Sequence, residues 1–267
     1  MKRRTLLATL AILALSSGVV FGATAFQVKP ATFDPAKTFL VQSTWLEGIG
    51  CPTGARFSTD GTTTTPYTDA ACPTGDVSDT HNQGLLLVKT GPTANFASAT
   101  AQLTGVTGTA LTELGYDIRK PASAADPRGS HCGAGAPRFN VVTSGGTRYF
   151  VGCNSPVAVS TGGATGWLRL RWSGAVPLMA YNSAGVLINI TGMSATSIEI
   201  VFDEGQDTGP DSFGLAVLDN IDVNKTLVGA GQAAKGKHNG NDGNNGRGHH
   251  GGDQGADDQG GNDQGGD

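Results

Sequence analysis

The sequence predicts an all-β protein: an antiparallel, jelly-roll-like β-sandwich followed by a disordered tail rich in Gly, Asp and Asn. Three observations carry this. Between residues 26 and 228, short runs of alternating apolar and polar residues recur at fairly regular spacing, and no segment sustains a 3.6-residue period. Charged residues make up only 15% of the 267-residue chain, which holds 41 glycines, as suits strands joined by many turns. The connections between runs are long, which favours crossovers between two sheets over a simple meander.

The first 25 residues stand outside the fold. Lys2, Arg3 and Arg4 precede the apolar run Thr5 to Leu15, and Ala23-Thr24-Ala25 supplies small residues for cleavage. This is the layout of a secretory signal peptide over 1–25, so the mature protein is expected to be secreted or extracytoplasmic. The apolar run is short against the ~20 residues of a membrane span, and no later segment reaches that length, so the mature chain is read without a transmembrane span. Arg3-Arg4 before Thr5-Leu6-Leu7 weakly resembles a twin-arginine signal, which leaves the export route open.

The strands follow in order. Thr38 to Leu46 opens the domain, and residues 51–80, rich in Thr, Pro, Gly and Asp, read as a loop. Gly84 to Lys89 is a short apolar run suited to a buried strand. Leu111 to Lys120 sets Leu114, Tyr116 and Ile118 against Glu113, Asp117 and Arg119. Arg138 to Thr143 and Thr147 to Cys153 form a hairpin about Ser144-Gly145-Gly146. Trp167 to Trp172 alternates Leu168, Leu170 and Trp172 with Trp167, Arg169 and Arg171. Ser197 to Asp203 directs Ile198, Ile200 and Phe202 inward, and Leu215 to Val223 is the last strong strand. From residue 229 the chain has no large apolar residue to offset its conformational entropy, so 229–267 is expected to be disordered.

Four cysteines in an exported chain predict two disulfides. The intervals Cys51 to Cys72 and Cys132 to Cys153 are equal, and each pair lies in its own region, so local pairing is expected. The first bridge ties the 51–80 loop, whose Cys51-Pro52-Thr53-Gly54 and Cys72-Pro73-Thr74-Gly75 turns repeat. A formal net charge of −4 lacks the basic footprint of a nucleic-acid binder.

Chemistry has few candidates. The polar strand residues Arg138, Asn140, Arg148, Trp167, Arg169, Arg171 and Glu199 are candidate ligand-binding residues. On one sheet face, an indole would stack on a sugar ring while the polar groups bond hydroxyls. The alternative is a solvated face with cross-strand ion pairs. The loop Asp203 to Asp211 offers Asp203, Asp207 and Asp211 as calcium ligands, or simply as turn formers, without EF-hand spacing. Glu113, Glu199 and Asp203 are the carboxylates a polysaccharide hydrolase would use. Glu199 and Asp203 alone sit ~13 Å apart along a strand, beyond the ~5–9.5 Å of such pairs. No nucleophile elbow or zinc motif is present, and no catalytic residue is assigned. His238, His249 and His250 in the tail suit weak transition-metal binding.

The segments Ser197 to Asp203 and Val217-Leu218-Asp219-Asn220-Ile221-Asp222-Val223 resemble the closing strands of secreted bacterial jelly-roll modules of the carbohydrate-binding type. Residues 84–228, with Leu-Thr-Glu-Leu-Gly-Tyr-Asp at 111–117 and Cys-Gly-Ala-Gly-Ala-Pro-Arg-Phe at 132–139, are more closely similar to secreted bacterial proteins of unknown activity. The first resemblance implies a structural calcium near the two chain ends, with Glu47 and Asp219 as its ligands. Together these readings lead to a secreted, non-catalytic module for an extracellular glycan or cell-surface polymer. The alternatives are a polysaccharide hydrolase and a structural envelope or matrix protein.

Overall fold

The computed structural model describes residues 26–58, 64–121, 136–153, 155–162, 166–173, 176–205 and 214–231, with backbone alone for 55–58 and 64–67. The signal segment, Cys132, Asp207, Asp211 and the tail from residue 232, with its three histidines, lie outside the described residues. The chain divides into two units, 1–232 and 233–267, and everything below concerns the first.

Sixteen strands form among the described residues. In chain order they are β1 (Gln27–Phe33), β2 (Val41–Leu46), β3 (Ala55–Ser58), β4 (Thr64–Tyr67), β5 (Gly84–Lys89), β6 (Ser98–Thr104), β7 (Leu114–Arg119), β8 (Arg138–Thr143), β9 (Arg148–Gly152), β10 (Val159–Gly162), β11 (Trp167–Trp172), β12 (Met179–Asn182), β13 (Leu187–Asn189), β14 (Ala195–Phe202), β15 (Gly214–Val223) and β16 (Thr226–Val228). The first sheet runs β1-β6-β14-β8-β9-β12-β13 and the second β10-β11-β7-β15-β5-β2, with β16 on β15 and β3-β4 a separate ribbon. Every pairing is antiparallel, and the chain repeatedly changes sheet, as in a jelly roll.

Alternation puts the core between the sheets. Ile198, Ile200 and Phe202 of β14 and Leu114, Tyr116 and Ile118 of β7 are buried, as their spacing predicts. Tyr116 and Trp172 from the second sheet meet Phe139 from the first, with ring centroids 5.3–6.0 Å apart. The polar ends of both amphipathic rings are satisfied. The Tyr116 hydroxyl donates to Pro137 O at 2.7 Å and Trp172 Nε1 to Pro156 O at 2.8 Å.

Several strands escape sequence patterning for identifiable reasons. β6 (SATAQLT) packs through Ala99 and Ala101, whose small side chains carry little hydrophobic signal. β1 contains Pro30, which a strand tolerates because β1 is the edge of its sheet. The β8–β9 hairpin turns at Gly146, whose φ of 76° needs glycine.

Two poles follow from the register. At one, β1 and β5 end while β2, β6 and β15 begin: Phe33 faces Ser98, Val41 faces Lys89, and Gly214 faces Lys89. At the other lie Phe26, Gly231 and both ends of the 47–83 loop. Trp45 marks that pole, donating from Nε1 to Val28 O at 3.1 Å.

Candidate functional site

The polar residues expected on one face occupy two. Trp167, Arg169 and Arg171 lie on β11 in the second sheet, whereas Arg138, Asn140, Arg148 and Glu199 lie on β8, β9 and β14 in the first. The faces differ in what covers them.

Over the second sheet folds the 47–83 loop. Its Cys51–Cys72 disulfide, Cα atoms 6.1 Å apart, packs with Ala71 against Trp167, which is only 2% exposed. Trp167 is therefore a core residue of the loop, not an open sugar platform. In the cross-strand row beside it, Arg169–Asp117–Asp219, both carboxylates are buried and Arg169 is partly so. Asp117 is fully buried and takes both Arg169 Nε at 2.8 Å and Arg171 Nη2 at 3.3 Å, while Asn220 Nδ2 donates to it at 2.8 Å. Arg169 also donates from Nη1 to Thr74 Oγ1 at 3.0 Å, which pins the loop. Arg171 Nε reaches Asp222 at 3.0 Å; burial lowers its pKa, and Asp117 and Asp222 oppose that shift. These cations are consumed internally.

Asp219 closes the arrangement. Its carboxyl accepts Cys51 N at 2.7 Å and Asn220 N at 2.5 Å, and burial raises its pKa well above the ordinary value. Asn220 sits at φ 44° where the ladder slips between Asp219 and Asp222, a place where asparagine tolerates the left-handed region. A cavity of about 1110 Å³ remains between the loop and this face, bordered by Thr53, Asp76, Asp79, Arg119, Trp167 and Asp219. Asp76 and Asp79 spend their oxygens on backbone N–H groups of Ser78, Gly229, His81 and Gln83. Cys51, Cys72 and Asp117 converge within 4.8 Å, but this is a disulfide beside a carboxylate and offers no thiolate.

Of the expected calcium ligands, Asp207 and Asp211 lie outside the described residues. Glu47 is exposed in the turn after β2, and Asp219 is bonded as above. Asp203 holds Arg138 through two hydrogen bonds of 2.8 and 2.7 Å. Cys153 is buried, and its expected partner Cys132 is outside the described residues. The hydrolase carboxylates are not assembled either. Glu199 is on the first sheet, Asp203 is tied to Arg138, and Glu113 precedes β7 on the second sheet, bonded to Ser173.

The first sheet presents something the alternation pattern did not reveal. Its registers align one residue from each strand: Lys29–Gln102–Glu199–Asn140–Phe150–Tyr181–Leu187. Their neighbours Leu103, Ile198, Val141, Val151 and Ala180 are buried, so the row lies on the outward face, half-buried at its centre and exposed at both ends. Seven strands at ~4.8 Å spacing make it roughly 29 Å long. One half is ammonium, amide and carboxylate, the other aromatic and aliphatic. Asn140 Oδ1 is buried without a hydrogen-bond partner among the described residues. Arg138 and Arg148 flank the row one register step on either side. Phe150 and Tyr181 were missed because β12 is four residues long and Phe150 reads as interior in an apolar run.

No family model and no curated protein matches this chain. Two solved structures of Clostridium thermocellum are similar. One is the family 11 carbohydrate-binding module of the cellulosomal cellulase Lic26A-Cel5E, at 11% identity and a TM-score of 0.32, covering 78% of this chain and 91% of that one. The other is a family 11 carbohydrate-binding module in complex with a β-1,3-1,4-mixed-linked tetrasaccharide, at 13% identity and a TM-score of 0.30, covering 76% and 99%. At these TM-scores the likeness carries neither fold nor function, and both rest on the strands and side chains described above.

Proposed function

We propose that this chain is a secreted, non-catalytic module that binds an extended glycan along the open face of the first sheet. The row Gln102–Glu199–Asn140–Phe150–Tyr181 supports the reading. Amide and carboxylate groups bond hydroxyls, the two aromatic rings receive apolar ring faces, and rigid strands hold both at low entropic cost. The Cys51–Cys72 disulfide suits an oxidising, extracytoplasmic compartment. Among the described residues, no helix is long and apolar enough to cross a membrane.

A glycan array followed by calorimetry tests this, with neutral and acidic oligosaccharides and a β-1,3-1,4-mixed-linked tetrasaccharide among the probes. Phe150→Ala and Tyr181→Ala should each weaken binding about tenfold, or ~1.4 kcal/mol, with unchanged melting. Silence across the array, or variants that bind as the parent does, would end the proposal.

A further inference from the structure

We propose that the polymer taken by the open face of the first sheet is an anionic glycan, whose carboxylate or sulfate groups are met by Lys29 on β1 and Arg148 on β9. This rests on the glycan reading above and goes beyond it by fixing the charge of the ligand and the residues that select it.

The seven strands of this sheet hold four charged residues, and three of them are basic: Lys29, Arg138 and Arg148 against Glu199. All four are on the outward face, because their neighbours Val28, Phe139, Tyr149 and Ile198 are buried. The excess is positive on a chain whose formal net charge is −4. Arg138 is spent on Asp203. Lys29 and Arg148 are exposed and form no ion pair among the described residues.

The second sheet is built the opposite way. Its Arg169 and Arg171 are bonded to Asp117 and Asp222, and Arg119 borders the cavity under the 47–83 loop together with Asp76 and Asp79. Positive charge there is balanced on the spot. On the first sheet it is not: Lys29 faces Gln102, and Arg148 faces Val142. Uncompensated positive charge confined to one face of an acidic molecule draws anions to that face.

The spacing of the charges describes the ligand. β1 and β9 are four strand steps apart, so Lys29 and Arg148 stand roughly 20 Å from each other at ~4.8 Å per strand. Between them lie Gln102, Glu199 and Asn140. A chain that crosses the strands would thus present anionic groups at both ends of this stretch and uncharged ring edges at its centre. An anionic group over Glu199 would meet a like charge, which disfavours it. The fit is to a glycan with spaced charges, and two exposed cations on a net acidic chain fall short of a nucleic-acid footprint. Because both cations are exposed, salt screens their pull, over ~30 Å at 0.01 M and only ~3 Å at 1 M.

Calorimetry of the full chain reads this out with two matched pairs of polymers: partly and fully methyl-esterified galacturonan, and sulfated and plain dextran. At ~0.01 M salt the parent should bind the charged member of at least one pair about tenfold more tightly than its uncharged partner, and the preference should vanish near 1 M. Preference within the first pair identifies carboxylate, and within the second, sulfate. Lys29→Gln/Arg148→Gln should lose the preference with an unchanged Tm. Lys37→Gln/Lys225→Gln removes two exposed cations outside this sheet, makes the same change in net charge and should keep it. Glu199→Gln should tighten binding of the charged polymer. Equal binding within both pairs overturns this inference and leaves the glycan reading standing, whereas no binding to any polymer, together with silence on the glycan array, overturns both. Loss of the preference in the Lys37/Lys225 variant, weaker binding of the charged polymer by Glu199→Gln, or equally tight binding of single-stranded DNA also overturns it.

Discussion

Asp222 holds its proton to a higher pH than an ordinary carboxyl. Burial and a hydrogen bond with Glu113 push it up to about 7, against the pull of Arg171. In the unfolded chain it titrates near 4. The folded state thus binds the extra proton between those values. Its stabilising contribution is complete below the unfolded pKa and is lost as pH rises through 7. Asp219 shifts in the same direction, also through burial. Glu113→Gln removes the neighbouring negative charge, so the variant should lose less stability between pH 5 and 8 than the parent does. Urea melts at four pH values decide it: parallel pH profiles for the two proteins would remove Glu113 from the account.

The disulfide-tied loop, rather than any strand, decides what the second sheet can do. Alternation along β11 correctly put Trp167, Arg169 and Arg171 opposite Leu170 and Trp172. It could not say that the loop would fold back over that face, because a period of two reports sides and not lids. The same limit hid the row on the first sheet: co-location there depends on a chain of registers between paired strands far apart in sequence, such as Gln102 with Glu199, and no local pattern encodes them. What was legible was local, namely the strands with large apolar residues, the Gly146 turn and the Cys51–Cys72 pair. Opening that bridge with Cys51→Ala/Cys72→Ala should cost about 3 kcal/mol in the chain-entropy model. It should also red-shift Trp167 emission as the indole gains water. Unchanged emission and melting would show that the Arg169–Thr74 and Asp219–Cys51 hydrogen bonds hold the loop without the bridge.

In the whole molecule, β15 is the longest strand, and it sits in the middle of the second sheet between β7 and β5. A chain that stops before Leu215 leaves β10-β11-β7 and β5-β2 without a common neighbour. It should show no cooperative thermal transition, whereas a chain that stops after Gly231 should melt as the full chain does; calorimetry of both separates these outcomes. Position in the sheet also sets a schedule. β2 and β5 are synthesised early and β7 and β11 midway, yet the strand that joins them arrives almost last. Loop closure across more than a hundred residues is slow. A nascent chain therefore cannot lock its second sheet until residue 223 has emerged, although every strand of the first sheet is complete by Phe202.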